Sequence, residues 1–180
     1  MRVITGTARG RKLKTLEGMD TRPTTDRIKE SIFNIVQFDI PGRRVLDLFG
    51  GSGQMAIEAV SRGARSAVVV DNAQAATKII AENVKNCGFE ANISVVASDF
   101  SNYLRSAEGM FDVIFLDPPY KGNLISRALC QICEIDILSD GGIILCETAR
   151  ETELPELPAP YAKGREYQYG KTKITVYRKG

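Results

Sequence analysis

The sequence contains no histidine among its 180 residues. This absence excludes the mechanisms in which an imidazole activates a serine or cysteine nucleophile. It also removes one of the commonest zinc ligands. Any chemistry in this protein is therefore expected to depend on carboxylates, amides, backbone groups or a bound cofactor.

Cysteine is scarce as well, with four residues in the chain. Cys130 and Cys133 form a Cys-x-x-Cys pair, but the pair lies in a helix-like stretch, 126–138, and no second pair is present. A structural zinc site needs four ligands. We therefore interpret these cysteines as buried helical residues and expect no metal site.

Long apolar runs are also missing from the sequence. No segment approaches the roughly 20 apolar residues of a transmembrane helix, and the basic start of the chain is not followed by the apolar core of a secretory signal. A cytoplasmic protein without a membrane partner is expected. The length favours one main domain with small appendages, and we expect a monomer.

The net charge of +2 is small, but the charges are unevenly distributed. Residues 1–44 hold ten Lys and Arg against five Asp and Glu, residues 45–160 hold eight against sixteen, and residues 161–180 hold six against one. Two basic ends around an acidic centre favour a polyanionic partner that both ends contact. The alternative is ordinary solvated surface charge.

Short apolar runs alternate with amphipathic segments through the centre of the chain. Five strands are predicted, at 43–49, 66–72, 93–100, 111–117 and 141–148. Because helical patterns separate most of them, we predict an α/β doubly wound, mostly parallel sheet covered on both faces. Two alternating runs around Gly170 and Lys171 predict a closing antiparallel hairpin at the C-terminus.

The first 42 residues do not follow this alternation. They contain short β-prone pieces interrupted by Gly6 and Gly10, followed by a helix that begins near Thr24 or Thr25. We predict a small basic hairpin and a helix over 1–42, placed before a main domain over 43–180.

The stretch 47–53, with the sequence DLFGGSG, connects the first predicted strand to a helix. Glycines at such a position let the backbone approach a ligand, and the helix N-terminus favours negative charge. The spacing matches neither the dinucleotide-binding fingerprint nor the phosphate-binding loop of nucleoside triphosphatases. Asp47, Gly51 and Gly53 are therefore candidate ligand-binding residues, with tight packing as the alternative.

Two further acids end the next two strands. Asp71, followed by Asn72, stands where a carboxylate accepts hydrogen bonds from both hydroxyls of a ribose. Asp99 can accept from an adenine amino group while Phe100 packs on the ring. The alternative for each aspartate is an N-cap of the following helix. Since the carboxyl ends of parallel strands meet at one edge, these residues favour a cofactor that contains adenosine.

The motif Asp117, Pro118, Pro119 and Tyr120 follows the fourth strand, which lies beside the first in a doubly wound sheet. Prolines lack an N–H donor and hold the chain extended, which leaves a carbonyl free to accept beside Asp117. Two acceptors and an aromatic ring fit a planar base amine and favour its attack on an electrophilic methyl. The alternative is a stiff turn.

These motifs, in this order, resemble those of S-adenosylmethionine-dependent methyltransferases that act on amino groups. The N-terminal stretches RVITGTARGRKL and TRPTTDRIKESIFNIV closely resemble the opening of the bacterial 16S rRNA guanine-N2 methyltransferases of the RsmD family. EAVSRGA after the glycine loop and YGKT near the C-terminus are similar to the same family. The resemblance covers nearly the whole chain.

The resemblance implies a seven-stranded Rossmann-like methyltransferase sheet, S-adenosyl-L-methionine as cofactor, and 16S rRNA or the assembling 30S subunit as partner. It implies that the cofactor binds at the glycine loop and the acids after it, and that a guanine N2 binds at 117–120. The RNA-binding residues that we expect are the basic ones near the N-terminus: Arg9, Arg11, Lys12, Lys14 and Arg22. The chain departs from the family at Asp71, where glutamate is frequent, at Gly50, where alanine is usual, and at 54–55.

Two other functions remain open from the sequence. The same chemistry would serve an adenine or cytosine amino group in DNA or RNA, although the chain has no evident target-recognition domain. The other is a non-catalytic rRNA-binding assembly factor on the same fold, against which the intact Asp117 and glycine loop argue.

Overall fold

The computed structural model describes residues 1–16, 24–119 and 123–180. The helices are α1 (Thr24–Ile35), α2 (Gln54–Ser61), α3 (Gln74–Cys87), α4 (Phe100–Ser106) and α5 (Leu124–Ile135). The strands are β1 (Arg44–Asp47), β2 (Ser66–Asp71), β3 (Ile93–Ala97), β4 (Phe111–Leu116), β5 (Leu138–Ala149), β6 (Tyr161–Tyr169) and β7 (Thr172–Lys179). Within these described ranges, no helix has the length and apolar character that a membrane crossing requires.

Seven strands form one sheet in the order β3-β2-β1-β4-β5-β7-β6. The pairs within β1 to β5 are parallel, and β7 runs antiparallel to both β5 and β6. The chain passes from β1 outward to β3 and then returns to β4 on the other side of β1, so the strand order reverses there. This confirms the predicted doubly wound sheet, the fourth strand beside the first, and the C-terminal hairpin.

Both faces of the sheet are buried, which explains why the strands are almost continuously apolar. Val45 and Val113 lie in the core cluster that contains side chains of α1, α2 and α3. The next residues along the same strands, Leu46 and Ile114, lie in the cluster formed with α4 and α5. Helices cover both faces of the sheet, so polar side chains are expected at its carboxyl edge.

The structure differs from the sequence predictions in the second half of the sheet. The strand predicted over 93–100 ends at Ala97, because the Asp99 side chain accepts a hydrogen bond from Ser101 N at 2.9 Å and caps α4. Strand β5 begins at Leu138, three residues before the predicted start. The interpretation of the two α5 cysteines as buried is wrong for Cys130, which is exposed, and Cys133 is half-buried.

The N-terminal segment shares its core with the main sheet. Val3 and Leu13 belong to the buried cluster that α1 and α2 also enter. Arg2 and Lys12 form an antiparallel bridge, as expected for a small hairpin. The division of the chain into 1–42 and 43–180 stays a prediction.

Candidate active site

The predicted acidic residues lie at the carboxyl ends of neighbouring strands. Asp47 ends β1 and Asp71 ends β2, while Asp99 lies two residues after β3 and Asp117 directly after β4. Strand β1 lies between β2 and β4. The loop after β1 therefore has Asp71 on one side and Asp117 on the other, which is the arrangement expected from the strand order.

The glycine loop has a backbone conformation that requires glycine at two positions. Gly51 (φ 55°) and Gly53 (φ 76°) both lie in the left-handed region. Gly50 is needed for a different reason, because a Cβ atom there would lie 2.4 Å from Cγ1 of Val69. A Cβ atom on Gly51 would meet nothing within 4 Å, so the loop backbone is accessible from that side.

Asp71 holds the glycine loop through its side chain. One carboxylate oxygen accepts a hydrogen bond from Gly51 N at 2.9 Å, and the other accepts from Ala73 N at 2.9 Å. Helix α3 begins at Gln74 with Ala73 as its N-cap, so the N-cap alternative for Asp71 is wrong. Asn72 is exposed beside it. Asp71 thus connects the ends of β1 and β2 and retains lone pairs for further donors.

Asp99 and Phe100 are both engaged with the protein itself. The capping bond from Ser101 confirms the N-cap alternative for Asp99. The Phe100 side chain is buried, with its ring centre 5.4 Å from that of Phe49 and the Arg127 guanidinium 5.4 Å from the ring centre. These contacts hold both residues at the carboxyl edge. Contact of Asp99 and Phe100 with an adenine stays a prediction.

Two buried oxygen atoms beside the glycine loop have no hydrogen-bond partner among the described residues. They are Oδ2 of Asp47 and Oε1 of Gln54, which flank the loop at its two ends. Desolvation and the charge of Asp117 raise the pKa of Asp47 to about 7, although backbone N–H groups of Ala56 and Phe49 oppose the shift. Unsatisfied buried acceptors favour a ligand that brings N–H donors or positive charge to this loop.

Asp117 begins the segment after β4, and the residues that follow it alternate in exposure. Pro118 is buried and Pro119 is exposed. Solvent reaches Asp117 from the cleft, yet its carboxyl group lies among protein atoms, and desolvation raises its pKa to about 6. The predicted Tyr120 lies outside the described residues. A carboxylate without N–H donors from the following two prolines is suited to accept from a ligand.

Glu147 is a candidate site residue to which no sequence motif points. It lies in β5 beside Asp117, because the residues before them, Leu116 and Cys146, are paired across β4 and β5. Both residues line one small cavity together with Ile32 of α1. Desolvation and the charge of Asp117 raise the pKa of Glu147 to about 8. The signal was present, since Glu147 is an acid near the carboxyl end of an apolar strand.

Comparisons with known proteins agree over the full length of the chain. The family model described as "Conserved hypothetical protein 95" matches residues 1–178. "Ribosomal RNA small subunit methyltransferase D" of Escherichia coli is 31% identical over 99% of this chain and 90% of that protein. The chain belongs to the RsmD family.

Two further proteins are similar to this chain over nearly its full length. "Putative rRNA methyltransferase YlbH" of Bacillus subtilis is 41% identical to this RsmD-family chain over 99% of each chain. The solved structure described as "Putative methyltransferase yhhF from Escherichia coli" has a TM-score of 0.89 at 30% identity, covering 99% of this chain and 97% of that one. These likenesses confirm the expected family and methyltransferase fold.

The N-terminal hairpin of this RsmD-family chain presents several basic side chains to solvent. Arg9, Arg11 and Lys12 are exposed and form no ion pair with any residue in the described ranges. Lys14 is exposed as well and pairs with Glu82 at 2.7 Å. The predicted Arg22 lies outside the described residues. The predicted basic surface is therefore present at the hairpin.

The C-terminal basic residues are arranged differently from those of the hairpin. Four of the six Lys and Arg in 161–180 form ion pairs with carboxylates: Lys163, Lys173, Arg178 and Lys179. Several of these carboxylates come from distant parts of the chain, including Asp39 and Asp136. Most of the positive charge at this end is therefore compensated within the protein.

Proposed function

We propose that this protein transfers a methyl group from S-adenosylmethionine to the exocyclic N2 of a guanine in 16S rRNA of the small ribosomal subunit. The observation that carries the proposal is the placement of Asp117 across the switch point from an open glycine loop, in a chain of the RsmD family. No step in this reaction needs the imidazole that the sequence lacks.

The residues around the glycine loop fit S-adenosylmethionine, which supplies an electrophilic methyl group on a positively charged sulfur. Asp47 and Gln54 offer the unsatisfied acceptors that its ammonium group needs. Asp71, with Asn72, would accept from the ribose hydroxyls, and Asp99, with Phe100, would hold the adenine. A cation placed near Asp47 also favours the ionised form of a carboxyl group whose pKa burial has raised.

Asp117 would orient the target nitrogen. The lone pair of an exocyclic amine is delocalised into the base, and it becomes available when both N–H groups are held by acceptors. We assign one acceptor to the Asp117 carboxylate and the other to a backbone carbonyl of the Pro118–Pro119 segment, with Tyr120 stacking on the base. The target base must leave its stack to reach this pocket, as in other enzymes that act on base atoms.

The proposed rRNA partner rests on the exposed N-terminal basic residues and on the family. The Escherichia coli relative is named a small-subunit rRNA methyltransferase, and the Bacillus subtilis relative carries rRNA methyltransferase in its name. Phosphate contacts supply most of the affinity for RNA and depend on exposed Lys and Arg. Arg9, Arg11 and Lys12 meet this requirement.

The test is methyl transfer to 30S particles that lack the modification. The intact protein, S-adenosylmethionine and these particles should yield N2-methylguanine at one position, mapped by mass spectrometry of 16S rRNA. Duplex DNA serves as the competing substrate. Methylation of adenine or cytosine in DNA would contradict the proposal, and no transfer to any substrate at saturating cofactor would favour a non-catalytic assembly factor.

Removal of two exposed basic residues from the hairpin should weaken RNA binding. The double variant Arg9→Ala/Lys12→Ala is expected to lower the slope of log affinity against log salt by about 1 to 2, since each lost phosphate contact contributes roughly 0.7 to 0.9. The matched control is Arg43→Ala/Arg105→Ala, which removes the same charge away from the hairpin. Filter binding across a salt series measures the slope for each double variant. Equal slopes for the two double variants would contradict the assignment of Arg9 and Lys12 to RNA contact.

Replacement of Asp47 by asparagine should stabilise the protein without cofactor and weaken cofactor binding. Because the pKa of Asp47 is raised to about 7, the folded state favours the protonated form. The contribution of this group to stability is therefore greatest below pH 4 and is lost as the pH rises through 7. At pH 8, we expect Asp47→Asn to raise the free energy of unfolding by roughly 1 to 4 kcal/mol.

Denaturant unfolding at pH 6 and pH 8 checks this expectation, with Glu134→Gln as an exposed control. Calorimetric titration with S-adenosylmethionine should show about 10- to 100-fold weaker binding for Asp47→Asn, the loss expected for a hydrogen bond to a charged group. Lower stability of Asp47→Asn at pH 8 would contradict the assignment of a desolvated carboxylate at the glycine loop.

A further inference from the structure

The carboxyl pair formed by Asp117 and Glu147 is unusual because nothing in the transfer of a methyl group requires two acids. Asp117 follows Leu116 of β4, and Leu116 pairs with Cys146, the residue before Glu147 in β5. Adjacent strands lie about 4.8 Å apart, so the two acids are neighbours. Both line the same cavity, together with Ile32 of α1 and Met55 of α2. Two carboxylates this close repel each other unless protons or donor groups lie between them.

Among the described residues, the wall of this cavity offers the pair little compensation. The remaining lining side chains are apolar, and Ile174 of β7 pairs directly with Glu147. The hydrogen bonds and ion pairs of the described residues include none for the Asp117 or Glu147 carboxyl groups. The donors that satisfy two adjacent carboxylates are therefore expected from a ligand.

The edge of guanine supplies such donors in the required arrangement. Guanine presents a ring N–H at N1 directly beside the amino group at C2, so one edge of the base carries adjacent donors. Adenine and cytosine place an unprotonated ring nitrogen beside their amino group. An ionised carboxylate next to that nitrogen would meet a lone pair and be left unsatisfied, which disfavours both bases.

We propose that Glu147 determines base specificity by accepting a hydrogen bond from the ring N1–H of the target guanine while Asp117 holds its N2 amino group. This inference rests on the proposed function and deepens it. It explains why an acid occupies this position of an otherwise apolar strand. It also gives a physical reason for choosing guanine over the adenine and cytosine alternatives.

The test compares two bases that share the reactive amine. 2,6-Diaminopurine keeps the 2-amino group of guanine but has an unprotonated N1. We use 30S particles reconstituted with guanine or 2,6-diaminopurine at the methylated position. Above pH 8, where Glu147 is ionised, kcat/KM of the wild-type protein should be at least about 100-fold lower on 2,6-diaminopurine, because a site built to accept a hydrogen bond rejects an analogue that lacks the donor.

The variant Glu147→Gln should change this ratio, because its amide can donate to an unprotonated N1. Its activity on guanine should fall about 10- to 100-fold, as expected for the loss of a hydrogen bond to a charged group, while the preference for guanine over 2,6-diaminopurine should fall below about tenfold. Glu90→Gln, which alters an exposed residue, is the matched control and should keep both values. Thermal unfolding of each variant confirms that it is folded.

The outcomes separate this inference from the proposed function. Equal use of guanine and 2,6-diaminopurine by the wild-type protein would overturn the role of Glu147 and leave methylation of N2 in place. An unchanged ratio in a folded Glu147→Gln variant would do the same. Failure of the wild-type protein to methylate either base would overturn the proposed function, and this inference with it.

Discussion

Replacing Asp117 by asparagine should lower the rate of methyl transfer about 100- to 1,000-fold, which is the loss typical of removing one fixed electrostatic contact to a reacting group. The asparagine has nearly the same shape, but it presents an N–H where the substrate also carries N–H, and it lacks the charge. Cofactor affinity should change by less than a few-fold, because Asp117 is assigned to the target amine.

Single-turnover kinetics with saturating protein would measure the rate, and calorimetry would measure cofactor affinity. Glu90→Gln again serves as a variant of an exposed acid. A large loss of cofactor affinity with an unchanged rate would contradict the assignment of Asp117 to the target amine and would place it in the cofactor site.

The pH dependence provides a second measure of the same residue. The pKa values of Asp117 and Glu147 are raised to about 6 and about 8, and the two belong to an interacting pair. An ionised carboxylate accepts hydrogen bonds more strongly than the protonated acid, which also carries a competing O–H donor. The wild-type rate should therefore rise with pH between about 6 and 8. Glu147→Gln removes the neighbouring charge and should shift this rise to lower pH.

The positions of the site residues followed from the sequence because they depend on strand ends. Asp47, Asp71 and Asp117 each terminate an apolar run, and parallel strands bring such residues to one edge whatever the details of packing. The same rule applies to Glu147, near the end of an apolar strand. The sequence does not mark Glu147 as a ligand-binding residue, because β5 is followed by the hairpin of β6 and β7 rather than by a loop and a helix.

Contacts between distant parts of the chain could not be inferred in this way. The bond from Gly51 N to Asp71 and the ion pair between Arg178 and Asp39 join residues whose separation in sequence carries no signal. The second of these changes a functional expectation, because it helps to compensate a basic C-terminus that appears available in the sequence alone. Charge counts describe a surface correctly only when the pairing is known.

The largest effect on stability is expected at Glu58, which is completely buried in α2. Its carboxylate accepts hydrogen bonds from the backbone N of Ile4 at 2.8 Å and of Thr5 at 2.9 Å, and from Nε of Arg62 at 2.8 Å. It therefore fastens the N-terminal hairpin, with its exposed basic residues, to the catalytic sheet.

Lys29 of α1 depends on the same carboxylate. Its ammonium group is buried, lies 3.7 Å from Glu58 and donates a hydrogen bond to Arg2 O at 2.6 Å. Desolvation lowers the pKa of Lys29, and the charge of Glu58 counteracts that shift. Removing Glu58 leaves this buried cation with the half-exposed Asp26 at 4.0 Å as its remaining carboxylate, beside unsatisfied backbone donors. Losing one partner of a buried ion pair is strongly destabilising.

We expect Glu58→Ala to lower the free energy of unfolding by roughly 3 to 5 kcal/mol, and to lower Tm by about 6 to 20 °C in a chain of this size. Glu82→Ala is the matched control, since it breaks an exposed ion pair with Lys14 and should leave Tm unchanged. The double variant Glu58→Ala/Lys29→Met should lose less than the sum of the two single variants, because the buried cation is then absent.

Glu58→Ala should also show whether the hairpin detaches before the sheet unfolds. In Glu58→Ala, limited proteolysis is expected to cleave within residues 1–16 before the sheet unfolds, because the backbone donors of the hairpin have lost their acceptor. RNA affinity should fall with it, since the hairpin that carries Arg9, Arg11 and Lys12 is no longer fixed to the rest of the protein. Global unfolding without early cleavage would show that apolar contacts of Val3 and Leu13 hold the hairpin instead.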